Sequence, residues 1–573
     1  MSKMINTREN RIEIFSTLRI KLMERFIGIE EEIDSILQLI YNWYVNPELI
    51  DRPLIINMWG MTGVGKTDLI RQIVYHLHIN NYTEKQMDGS EYGSVRYSLT
   101  PDEPGILLLD EFQRFRHKDE NGKRIDKIGY QDIWQILSDG NLILRKADIA
   151  YNIQKKIRTS TTKVDWVSIV LEVLEYYNIK DFNLLDSVLK KTDAERKKWI
   201  FSFIDNQVDN LVVDYTKQCI FICGNLDSVY KMAGRVHEAA IPADFFRKET
   251  ECISILDIKD NLDSLFYPEH IARLGNNHII YKAISTDSFV KLIHKRLAHH
   301  ADRIFIGFNI SLIFSNEFCD MIYRNGVYPT QGVRPLFSTI DSIIGSQIIR
   351  IITNMVTNNI EYYSNKDAIL VDYADDHIIV ENLSEQFIGD IDFEWEKTES
   401  NKKIMKSVCY HEAGHAVVYY RLTGLYPNYM IRQPTGDGAV LIRSCTNKIE
   451  KIDNICVLYG GIESELKYGK IVTWGHADDI RKATHIASDL IRKFEYNDSI
   501  GMRLPITDQH SPNTLIIDKK SNRKIENILK SARTKAGKII DKNKVLIKYL
   551  ADALYENRVL DENFIKKIIK KYS

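Results

Sequence analysis

LIINMWGMTGVGKTDLI, residues 54–70, decides the fold: a largely apolar run, a glycine-rich turn ending in Lys66-Thr67, and the start of a helical pattern. Strand, turn and helix in that order are the context a phosphate-binding loop requires. Gly60, Gly63 and Gly65 let backbone N–H groups turn toward phosphates, and the helix N-terminus adds a favourable dipole. In this reading Lys66 pairs with the outer phosphates of ATP and the Thr67 hydroxyl coordinates Mg²⁺. The alternative is a chance glycine-rich turn.

Working outward, two more apolar runs end in residues able to do chemistry, Ile106 to Leu109 before Asp110-Glu111 and Ile220 to Cys223 before Asn225. Helical patterns run from Asp68 to Leu77 and from Gln131 to Leu137. Apolar strands alternating with helices predict an α/β module, a parallel sheet with helices on both faces, whose ligands sit at the carboxyl ends of the strands. Asp110 would then face Mg²⁺ and Glu111 would polarise an attacking water. A helical stretch at about 148–210 interrupts the pattern. After about residue 285 the chain turns mostly helical and closes on AILVDYADDHIIVEN (368–382), which reads as a hairpin in a small second domain. A polar, acidic linker is expected over 384–403 and a mainly helical third unit over 404–573.

The chain has 573 residues, enough for several domains, and 77 Lys+Arg against 78 Asp+Glu. The net charge of -1 provides no basic footprint for nucleic acid. Seven dispersed cysteines without a CxxC pair predict reduced thiols. A charged start and no long apolar run predict a soluble, cytoplasmic protein without an integral membrane segment.

With FIGIEEEI (26–33) ahead of the loop, LLLDEF (107–112) and IWQILSDGNL (133–142), the first ~385 residues resemble an AAA+ module of the Clp unfoldase type. The resemblance implies an N-terminal helical segment over 1–25, a large ATPase domain over 26–285 and a small lid over 286–383. IFICGNLDS (220–228) resembles the polar sensor strand, which gives Asn225 the role of orienting water and γ-phosphate. YPEHIARL (267–274) resembles the arginine-finger segment, which makes Arg273 the finger and Arg247 a lesser candidate. QGVRPL (331–336) resembles the second sensor and implies that Arg334 contacts phosphate within its own subunit. A finger acts on a neighbour's ATP, so the resemblance implies a ring, a homo-hexamer as in the family. The sequence departs from that family before the acidic strand, where only GSEYGSVRYSLTPDEPG (89–105) is available for a pore loop, with Tyr92 or Tyr97 to grip substrate.

His411-Glu412-Ala-Gly-His415 is an HExxH sequence inside a helical pattern. Val408, His411, His415 and Val418 share one stripe, so both imidazoles project from one face, as two ligands of one Zn²⁺ must. Glu412 beside them can take a proton from water at the metal. Gly414 costs a helix about 1 kcal/mol relative to Ala, which predicts close packing against it. Two core histidines are the alternative. A third ligand is needed, and in HADDIRKATHIASDLIRKF (476–494) Asp479 falls on the apolar stripe with Ala483, Ala487 and Ile491, whereas Asp478 falls on the polar face with Lys482, His485 and Asp489. An acid in a first turn can also simply satisfy the helix dipole.

HEAGHAVV, YGGIESELKYG (459–469), GHADDIRKAT (475–484) and the helical tail resemble the FtsH-type metallopeptidases, from about residue 404 to the end. That resemblance places the third zinc ligand on Asp479. It also implies protein substrates docked as an added strand, with PTGDGAVLI (434–442) as the candidate edge. Together the two resemblances predict an ATP-dependent zinc endopeptidase. The alternative is a remodelling ATPase whose metallopeptidase-like domain does not cut.

Overall fold

The computed structural model of the chain describes residues 2–87, 99–118, 132–159, 163–177, 179, 181–226, 229–230, 241–364, 368–375, 377–381, 383–386, 399–432, 438–442, 450–469, 473, 475–492 and 519–572. The chain divides into two units, Met1–Val229 with Ser254–Tyr281, and Tyr230–Ile253 with Lys282–Ser573.

The strands of the first unit are, in chain order, β1 (Leu54–Trp59), β2 (Tyr82–Gln86), β3 (Gly105–Asp110), β4 (Asn141–Arg145), β5 (Asn210–Asp214), β6 (Gln218–Gly224) and β7 (His278–Ile280). Five of them form one all-parallel sheet in the order β2-β3-β6-β1-β7. β6 is buried along its whole length and β3 from Gly105 to Leu109, as strands covered on both faces should be. The pairing of Trp59 with Gly224 and of Leu109 with Ile222 brings the ends of β1, β3 and β6 to the same edge. That register, set by residues far apart in the chain, delivers the glycine loop, Asp110-Glu111 and Asn225 to one place.

β4 and β5 pair antiparallel as a separate ribbon, with Arg145 opposite Asn210. Between them run the helices Lys146–Thr159, Lys163–Tyr176, Phe182–Leu189 and Asp193–Asp205, which bury Ile153, Val170, Val173, Val188, Ile200 and Ile204 in a core of their own. The helical stretch expected at 148–210 is thus a subdomain on a two-stranded stem.

In the second unit, β8 (Leu312–Phe314), β9 (Ile369–Ala374), β10 (His377–Val380) and β11 (Leu383–Gln386) form a sheet in the order β11-β10-β9-β8, with β9 and β10 as the expected hairpin. The linker expected over 384–403 has secondary structure at both of its ends, and residues 387–398 lie outside the described residues. β11 occupies its start through backbone pairing that the polar sequence LSEQ does not advertise, and a helix begins at Glu399.

The same unit holds the helices Glu399–Thr423, Lys451–Tyr468, Gly475–Arg492, Lys519–Lys542, Lys544–Asn557 and Glu562–Tyr572, and an antiparallel sheet β13-β12-β14 made of β12 (Tyr429–Arg432), β13 (Gly438–Leu441) and β14 (Val559–Asp561). Ala413, Val417, Ile455, Ala487, Ala536 and Leu550 belong to their common core. The packing expected against Gly414 is present: a Cβ there would run into the carbonyl oxygen of Gly460 and into Ser464. Backbone therefore meets backbone where Glu399–Thr423 crosses Lys451–Tyr468.

Candidate functional sites

Gly65 takes a left-handed backbone (φ 90°) as the cap of the helix Lys66–His76, which bends the loop back over the strand edge. Lys66 is buried and donates from Nζ to Gly60 O at 2.9 Å, Met61 O at 2.7 Å and Asn225 Oδ1 at 2.7 Å. Thr67 Oγ1 donates to Asp110 Oδ2 at 2.8 Å. Asn225 Nδ2 donates to Glu111 Oε1 at 2.9 Å. Glu111 N donates to Asp110 Oδ1 at 2.9 Å, so six of the residues singled out by sequence, Gly60, Lys66, Thr67, Asp110, Glu111 and Asn225, are joined in one hydrogen-bonded group at the strand ends.

Arg273 takes no part in that group among the described residues. It ends the helix Pro268–Arg273, whose His270 stacks on Trp134 with ring centroids 4.2 Å apart. Trp134 in turn packs on Phe112, which follows Glu111. Arg334 belongs to the second unit, where it is the exposed first residue of the helix Arg334–Ile343. Arg247 is held by Ala283 O at 3.1 Å and Glu251 at 3.4 Å. Tyr92 and Tyr97 lie outside the described residues.

The second site is built where three helices of the C-terminal region meet. His411 and His415 are buried one turn apart on Glu399–Thr423, with Nε2 atoms 3.0 Å from each other. Asp479, on Gly475–Arg492, is buried and brings Oδ2 to 2.9 Å from His411 Nε2 and 3.2 Å from His415 Nε2. Asp478, expected on the polar face, is also buried. It stays on the charged stripe, however, where it pairs with Arg481 at 2.7 Å and Lys482 at 3.1 Å.

The far side of each imidazole is tied down. His411 Nδ1 lies 2.8 Å from Glu465 Oε2 and His415 Nδ1 2.7 Å from Val457 O. An acceptor on each Nδ1 fixes the proton there and leaves the Nε2 lone pairs facing Asp479 Oδ2. Three electron-rich atoms pointed at one another call for a positive charge between them. Burial alone would push His411 down, yet the hydrogen bonds of Asp479 and Glu465 push it up to about 10. Burial likewise pushes the Asp479 carboxyl up, and the facing His415 and His411 more than reverse this, holding it well below the usual carboxylate range.

The spacing also suits one ion. Ligand atoms 2.0–2.1 Å from a tetrahedral zinc stand about 3.3 Å apart, against the 2.9–3.2 Å found here. Gly461 makes room for the cluster, since a Cβ there would fall 2.5 Å from His415 Nε2 and 2.8 Å from His411 Nε2. Glu412 is buried against Gly438 of β13, where a Cβ would fall 2.8 Å from its Oε1. Burial pushes the Glu412 carboxyl up. Of the predicted edge 434–442, the described part is β13, which among the described residues pairs with β12 on one side only.

Sequence reasoning overlooked Glu465 and His476. Glu465 is fully buried, its Oε1 accepts from Thr473 N at 2.8 Å, and its Oε2 lies 2.8 Å from His476 Nε2 as well as from His411. Its signal was present, because Glu465 stands one helical turn beyond Gly461, on the face turned to the histidines.

Residues 398–568 match the model of Peptidase family M41. The chain thus joins a parallel-sheet α/β module to a mainly helical region that is similar to that peptidase family. Among similar proteins are an "ATP-dependent zinc metalloprotease FtsH" of Endomicrobium trichonymphae, 28% identical over 191 residues (28% of this chain, 29% of the relative), and one of Mycoplasma mobile, 30% identical over 190 residues (30% and 27%). A third is the "Mitochondrial inner membrane i-AAA protease supercomplex subunit YME1" of Saccharomyces cerevisiae, 26% identical over 241 residues (38% and 30%). The chain spans less than a third of the length of these relatives.

The expected soluble, cytoplasmic location is corrected here. One relative is by its name a protein of the mitochondrial inner membrane, which conflicts with that expectation. Within the chain itself, the helical segment Arg334–Thr357 is long and apolar enough to cross a membrane by length and composition, with 44% of its most apolar window buried inside the fold. The sequence reading passed over it because scattered polar residues interrupt the run.

Replacing Glu465 by Gln should weaken zinc binding by roughly 10–100-fold, as losing the partner of a ligating histidine does. Competition with a fluorescent chelator measures it, and an unchanged affinity would show that Glu465 does not orient His411.

Proposed function

We propose that this chain is an ATP-dependent zinc endopeptidase, in which a Clp-like AAA+ ring formed by residues 26–285 and the lid 286–383 unfolds protein substrates and the domain from residue 404 hydrolyses their peptide bonds. The observation that carries this reading is the convergence of His411 Nε2, His415 Nε2 and Asp479 Oδ2 beside a buried glutamate. The printed names of the relatives, ATP-dependent zinc metalloproteases, support it.

His411, His415 and Asp479 hold zinc, which when bound polarises the scissile carbonyl and eases ionisation of water. Glu412 takes the proton of the attacking water and passes it to the leaving amine. The free edge of β13 pairs with the substrate backbone, giving affinity with little dependence on side chains. Gly438 at its start keeps that strand close to Glu412.

On the nucleotide side, Gly60, Gly63, Gly65 and Lys66 hold the phosphates of ATP, and Thr67 and Asp110 hold Mg²⁺. Glu111 polarises water and Asn225 orients it. Arg273 reaches the ATP of a neighbouring subunit and Arg334 the ATP of its own, in a homo-hexamer.

The test is a folded fluorescent reporter incubated with and without ATP and a zinc chelator. Loss of the reporter should require both ATP and zinc, whereas cleavage of unfolded casein should require zinc alone. Cleavage that survives the chelator would overturn the zinc assignment, and degradation of the folded reporter without ATP would overturn the coupling.

A further inference from the structure

β3 and β6 are neighbours, and each is followed directly by a group with a proposed part in ATP hydrolysis, Glu111 after β3 and Asn225 after β6. Glu111 adopts a left-handed backbone (φ 56°, ψ 36°) that turns the chain into the short helix Phe112–Phe115. Phe112 and Phe115 are buried on either side of Gln113, so the turn is anchored and the Gln113 side chain reaches back toward the strand ends.

There its amide does two things at once. Nε2 donates to Glu111 Oε2 at 2.6 Å, and Oε1 accepts the backbone N–H of Asn225 at 2.9 Å. Asn225 closes the ring by donating from Nδ2 to Glu111 Oε1 at 2.9 Å, while its Oδ1 accepts from Lys66. Arg114 Nε stands 3.2 Å from Glu111 Oε2. A carboxylate offers only acceptors and a backbone N–H only a donor, so a single bridge between them needs one donor and one acceptor held in a fixed plane. An amide side chain provides that.

We infer that Gln113 is a positioning residue for ATP hydrolysis, fixing the Glu111 carboxylate relative to Asn225. This rests on the proposed ATPase activity. Without the bridge, Glu111 keeps its charge but loses one of its two amide anchors and can swing away from the position it must hold.

Gln113→Leu in the full-length chain should lower kcat for ATP hydrolysis by about 10–100-fold, the scale of a small misplacement of a reacting group, and leave the Kd for a fluorescent ADP within about threefold. Combined with Asn225→Ala it should add little, because both act through one ring. Gln113→Glu, which keeps the acceptor for Asn225 N–H but sets a carboxylate against Glu111, should show the same kcat loss, and it serves if the Leu variant does not fold. Wild-type kcat in a variant that binds ADP normally would overturn the inference, as would losses that multiply in the double variant. If the unmodified chain hydrolyses no ATP, the proposed function itself falls, and that outcome is distinct from an active wild type with unaffected variants.

Discussion

Glu412→Gln should lower peptide-bond cleavage by about 10²–10⁴-fold, the usual contribution of a positioned general base, with zinc content and ATP turnover unchanged. Glutamine has the same shape, so the contact with Gly438 persists, and the atoms facing the ion come from His411, His415 and Asp479 instead. What is lost is the ability to accept a proton in a buried place where no bulk water can do so. Casein cleavage with zinc analysis on the same sample is the measurement. Persistent cleavage by the metal-loaded variant would remove Glu412 from its role.

The second large effect is expected from Glu111→Gln. The variant should bind ATP, because Lys66, Thr67 and Asp110 are untouched, and hydrolyse it roughly 10²–10⁴-fold more slowly. Degradation of a folded reporter should stop while short unstructured peptides are still cut. Glutamine can retain an oxygen for Asn225 Nδ2 but then sets its own N–H groups against the Gln113 Nε2 donor, so the loss would combine the missing charge with a loosened bridge to Gln113. Undiminished degradation of the folded reporter would mean that cutting does not depend on ATP.

The legible parts of the fold were those whose residues carry local patterns. β1, β3 and β6 are apolar because the sheet buries them on both faces. β2 escaped notice because YTEKQ is half-buried and polar, and β7 because three residues are too few to show a pattern. At the candidate metal site, the shared stripe of His411 and His415 and the inward turn of Asp479 follow from helical periodicity alone. Gln113 was out of reach, since its meaning depends on a hydrogen bond to a residue 112 positions away. Only the register of β3 on β6 brings the two together.

The stem that carries the inserted helices has a consequence for how such a chain can change over time. Because Arg145 and Asn210 face each other across the ribbon, the appendage enters and leaves at nearly the same point. Its helices pack on one another. The parallel sheet therefore has little stake in what hangs there. The appendage could be enlarged, exchanged or reduced to a simple turn without retuning the sheet that carries it.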